Sequence, residues 1–156
     1  MNKLQKKNLL VEVNRKPFII RHGPNEKHNE ITIAIVNYAI PMENVTKYLT
    51  AKVLGEVQKM TSGYPNAGIS FNFKPEAPAF VFTCKGKTER RGNDTPNQEL
   101  ADKIALAKCR AKACIIGRKI MIAIAEALKK EVEHIEEISG FFNFHSEREL
   151  AYIQKA

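Results

Sequence analysis

The sequence predicts an α+β fold, an antiparallel β-sheet packed by a long C-terminal helix, with one additional amphipathic helix, in a single domain over residues 1–156. Two observations carry the sheet. Runs rich in β-branched and aromatic residues recur up to residue 90, and Gly, Pro and Asn clusters separate them. A third observation carries the helices: from residue 97 onward the apolar residues recur at helical spacing for some 40 residues.

The elements follow in order. LLVEVNRKPFIIR, residues 9–21, reads as extended chain that Pro17 confines to a sheet edge or a break. HGPNEKHN is turn chemistry, and ITIAIVNYAI after it is the strongest strand, with Ile31, Ile33, Ile35 and Asn37 on one side and Thr32, Ala34, Val36 and Tyr38 on the other. Pro41 closes that strand. Val45, Leu49, Val53 and Val57 then predict an amphipathic helix over 42–61, stopped by Ser62 and Gly63. GISFNF and AFVFTCKGKTER supply two further strands around a stiff KPEAP connection.

Thr95 as N-cap, Pro96 at N1 and Gln98 at N3 predict the start of the long helix. Its run ends near Lys119 or continues to Glu137, and its length predicts a kink or break near Gly117, or a helix that extends into a partner. Two apolar stripes lie on it. One holds Leu100, Ile104, Ala107, Ala111, Cys114, Ile115 and Ile122, the other Leu106, Cys109, Ala113, Ile120 and Ile124. Two stripes need two surfaces, so one is expected on the sheet and the other on a second helix or a twin protomer. SGFFNF then reads as a connection, and Ser146 with Glu149 as a capping box opening a short terminal helix.

Charge narrows the function. The chain carries a formal +8, and ten Lys or Arg against four Asp or Glu fall between Lys85 and Lys119, so an anionic partner is expected: nucleic acid, nucleotide or membrane surface. No apolar run is long enough to span a membrane and no secretory leader is evident, so a cytoplasmic location without membrane attachment is expected. Cys84, Cys109 and Cys114 have no metal-ligand spacing and are expected as reduced, buried thiols, with no metal and no cofactor. No nucleophile elbow, P-loop, zinc-protease helix or dinucleotide fingerprint occurs, so no catalytic residue is expected and the chain is read as a non-enzyme.

The ligand-binding candidates are Phe82, Arg90, Arg91, Asn93, Lys103, Arg110 and Arg118. Arg forks pair with phosphate oxygens, helix-start amides add donors, and an aromatic ring can stack on a base. Surface ion pairs and core packing are the ordinary fates of the same residue types. Arg118, inside an apolar stripe, is expected either to meet a buried carboxylate or to face a ligand pocket.

Asp94, Asn97 to Leu100 and Ile104 to Ala111, following a strand and a turn, form a pattern that resembles small phage anti-Thoeris proteins, which sequester a cyclic ADP-ribose signal. It is also similar to double-stranded-RNA-binding-like phage domains. The likeness covers about a fifth of the chain. It implies a non-enzymatic sponge acting as a homo-oligomer on a cyclic nucleotide or cyclic ADP-ribose type ligand, with Phe82, Asn93 and Arg110, and more loosely Arg118, around the nucleotide. Pro96-Asn97 stands where that pattern has Phe-Asp, and the helix at 42–61 is extra. The alternatives are a nucleic-acid-binding protein that uses its N-terminal and helix lysines, and an inhibitor that binds a host protein through FFNF and the acidic tail.

Overall fold

The computed structural model describes residues 9–13, 16–23, 30–43, 50–61, 70–72, 78–90 and 97–155. Five strands form one antiparallel sheet: β1 (Val11–Glu12), β2 (Phe18–His22), β3 (Glu30–Pro41), β4 (Ser70–Asn72) and β5 (Ala79–Arg90). β1 and β2 lie end to end along one edge of β3, on either side of Pro17, which has no N–H to give to a ladder. β5 pairs with β3 along its whole length, from Glu30↔Arg90 to Pro41↔Ala79, and β4 adds to the start of β5.

Period-two alternation decides which side chains meet the helix. Thr32, Ala34, Val36, Tyr38 and Ile40 of β3 are buried together with Phe80, Phe82 and Cys84 of β5. The α+β expectation holds: α1 (Ala51–Thr61) and α2 (Gln98–Lys155) complete the described elements. Val53 and Val57 of α1 join the core, Thr50 Oγ1 accepts from the Val53 N–H, and Lys52 pairs with Glu131 of α2 at 2.9 Å. Val45 and Leu49 lie outside the described residues.

The long helix departs from expectation in two ways. It does not break: 58 residues, about 87 Å at 1.5 Å per residue, run unbroken through Gly117, SGFFNF and the Ser146–Glu149 sequence. A helical Gly costs only about 1 kcal/mol. Gly117 also stands where a Cβ would crowd Ile40 Cδ1 at 3.3 Å. Ser146 starts no new helix, since a capping sequence favours an end without enforcing one. The observed N-cap is Asn97, whose Oδ1 accepts the Leu100 N–H at 3.0 Å, whereas Thr95 and Pro96 lie outside the described residues.

Of the two stripes, the one with Cys109, Ala113, Ile120 and Ile124 packs on the sheet, joined by Ala105, Ala123 and Ala127. The other, from Leu100 to Ile122, is exposed. Small residues at 105, 109 and 113 let the helix backbone settle on Gly86 of β5, and the Cys109 thiol reaches the Ala34 carbonyl at 3.2 Å. Lys108 and Lys112 donate to the Lys87 and Lys85 carbonyls at 2.6 and 2.5 Å, which occupies acceptors on the flank of β5. Beyond Glu131 every residue of α2 to Lys155 is exposed, so the last six turns form an arm.

Candidate functional site

The strands bring β3 and β5 residues under the first turn of α2, where a pocket of about 240 Å³ is lined by Glu30, Thr32, Thr88, Arg90, Asn97, Gln98 and Ala101. Two cross-strand pairs, Glu30↔Arg90 and Thr32↔Thr88, make its floor. Arg90 grips Glu30 with both Nε and Nη2, at 3.1 and 2.9 Å. That hydrogen bond, ahead of the partly opposing burial, holds the Glu30 carboxyl below its ordinary value of 4.5. Gln98 Nε2 donates to Thr32 Oγ1 at 3.3 Å and to Asp102 Oδ1 at 3.0 Å, and Asp102 receives Arg21 at 2.7 Å. Thr88 Oγ1 is buried and makes no hydrogen bond among the described residues.

This arrangement suits an anion. The head of a long helix carries about half a positive charge, Arg90 supplies a planar fork, and Thr88, Gln98 and Thr32 supply neutral polar atoms. Glu30 sets the condition, because an incoming anion competes with it for Arg90. Since the folded pKa of Glu30 is lowered, the pair is complete above pH about 4.5 and weakens as pH falls below that value. Carbon-detected NMR titration of Glu30 should give a midpoint below 4.5 in the native chain and a clearly higher one in Arg90→Ala, where only the raising effect of burial remains.

The other sequence candidates scatter. Phe82 is 1 % exposed and lies against Tyr38 with ring centroids 6.1 Å apart, so its faces are spent in the core. Phe80 is buried likewise, whereas Phe141, Phe142 and Phe144 stand exposed on the arm. Arg91 and Asn93 lie outside the described residues. Lys103 is exposed and pairs with Glu99 at 2.7 Å. Arg110 is exposed on the helix flank, and Arg118, twenty residues or about 30 Å along α2 from Gln98, borders a separate apolar groove. Arg118 meets no carboxylate among the described ion pairs.

Among the described residues, Arg90 is thus the one sequence candidate that the head pocket gathers. Thr32, Thr88, Asn97 and Gln98 escaped sequence reasoning because their meeting depends on β3–β5 register, which no local signal encodes.

The thiols differ from expectation at one position. Cys84 and Cys109 are buried, and desolvation pushes Cys84 up to about 11 and Cys109 in the same direction, while Cys114 is exposed. Among the described residues no cluster of three His, Cys, Asp or Glu is placed to hold a metal, and no helix is long and apolar enough to cross a membrane. The chain matches no protein-family model, and neither a curated protein nor a solved structure matches it.

Proposed function

We propose that this chain is a non-enzymatic binding protein that captures a phosphate-bearing nucleotide at the head of α2, in the manner of a phage anti-defence protein sequestering a nucleotide immune signal. The observation that carries this reading is the polar pocket itself, which sets the Arg90 fork and the orphaned Thr88 hydroxyl under the positive end of a 58-residue helix. A volume of about 240 Å³ accommodates a phosphate and an attached sugar rather than a whole dinucleotide. The base then lies toward the pocket mouth. Cyclic ADP-ribose isomers and cyclic nucleotides are the ligands to try first, because the Asn97–Ala111 pattern resembles that of the anti-Thoeris proteins.

Isothermal titration against those ligands is the test. Saturable heat from at least one of them, with roughly tenfold or greater weakening in Arg90→Ala, is the expected result. No heat from any of them sinks the reading.

A second reading has its own observation. Lys108 and Lys112 of α2 reach the backbone of Lys87 and Lys85 in β5, so four lysine residues lie close together in the fold, a concentration of basic charge of the kind that follows a nucleic-acid backbone. A gel shift that fades steeply between low and moderate salt, with unchanged affinity in Arg90→Ala, selects it over the nucleotide pocket.

A further inference from the structure

The face of α2 turned away from the sheet carries an unbroken heptad series. Steps of four and three lead through positions 100, 104, 107, 111, 114, 118, 121, 125, 128, 132, 135, 139, 142, 146, 149 and 153, and twelve of these sixteen residues are apolar. Arg118, Ser139, Ser146 and Glu149 are the exceptions. All sixteen are exposed except the half-buried Leu128. Buried Ala105, Cys109, Ala113 and Ile120 fall on the side opposite residues 100–121 of the series, so a second helix meets no obstruction from the sheet there. Farther on, Leu128 packs in part against the chain's own core, and a supercoil takes up the drift of about 20° per heptad. A monomer rarely leaves such a stripe open over some 80 Å.

We infer that two copies of this chain pair through this face as an antiparallel coiled coil. Charge selects the occupant and its direction. Residues 98–119 hold six basic against two acidic side chains, and residues 126–149 hold seven glutamates against three basic ones. Antiparallel pairing lays the basic half of each helix on the acidic half of the other. A parallel pair sets Arg118 on Arg118 and Glu149 on Glu149, and doubles the acidic run from Glu131 to Glu137.

Register and size agree with that direction. An antiparallel pair centred between residues 126 and 127 matches every position of the series to another: Leu100 to Ile153, Met121 to Val132 and Ala125 to Leu128 of the partner copy. The largest residue, Phe142, meets the small Ala111. The same register brings Ile138 of the partner copy beside Gly117, where an apolar groove of about 290 Å³ opens against Leu9, Leu10 and Ile40. It also carries the end of each arm to the head of its partner's helix. None of this depends on what the head pocket binds.

Cysteine crosslinking with mass measurement tests both stoichiometry and direction. In the proposed pair Cys114 faces Ser139 of the partner copy. The native chain should therefore run as a dimer that gains no disulfide under mild oxidation, whereas Ser139→Cys, on the exposed arm, should convert most of the dimer to a covalent one through Cys114. Val132→Asp, 52 % exposed in the single chain, should weaken dimerisation roughly tenfold or more and leave far-UV circular dichroism unchanged. A monomeric native chain overturns the proposal. So does a Cys114–Cys114 crosslink in the native chain, which marks a parallel pair, or a dimer that Ser139→Cys leaves uncrosslinked.

Discussion

Gly86→Ala should destabilise the protein by about 3 kcal/mol or more, a large share of the roughly 5–15 kcal/mol that holds a domain folded. A Cβ at this position would overlap the Ala105 carbonyl oxygen and stand 3.0 Å from both its carbon and the Cys109 nitrogen. These are backbone atoms in the middle of a helix, so no rotamer change relieves the overlap. The helix must lift away from β5. Lifting it costs the Cys109 contact with Ala34 and the packing of Ala105 and Ala113 along with it. Equilibrium urea unfolding reads the change. An Ala variant as stable as the native chain would mean that α2 does not rest on β5 at Gly86.

Ile120→Ala should cost about 2–5 kcal/mol, while Ile122→Ala, two positions on, should cost less than about 1. Ile120 is fully buried and Ile122 is 43 % exposed, although the residues are chemically the same. The first substitution leaves a cavity between helix and sheet. The second removes a side chain that water already reaches, and the contrast therefore reads which face of α2 belongs to the core. Paired melting curves decide it, and equal losses would rotate the helix from its assigned face.

The fold was largely legible in the sequence. Alternation in ITIAIVNYAI separated the two faces of β3, though only the structure says that Thr32, Ala34, Val36 and Tyr38 are the buried one, and Pro17 marked the break between β1 and β2. The stripe through Cys109, Ala113, Ile120 and Ile124 was also legible as a packing surface. Local end signals failed along α2, at Gly117 where the helix packs against Ile40 of the sheet and at Ser146 where a capping sequence permits an end without enforcing one. Gly117 and the Ser146 capping sequence both argue for helix ends, yet α2 continues through each, and that continuity is what joins Leu100 to Ile153 in one heptad series.

The site was less legible than the fold. Positive charge between Lys85 and Lys119 pointed to an anion, but charge alone does not say which residues converge. Arg90 meets Thr88, Thr32 and Gln98 only because β3 and β5 share a register. Lys108 and Lys112 are turned instead to strand carbonyls, and Phe82, whose aromatic ring suggested stacking on a base, packs on Tyr38.

Native mass spectrometry of the protein taken directly from cells tests the central claim, that the head of α2 holds a nucleotide while its outer face joins two copies. The account predicts a species of two 17.6 kDa chains that carries a phosphate-bearing small molecule, which denaturation releases and Arg90→Ala loses. A single 17.6 kDa chain with nothing bound would contradict it.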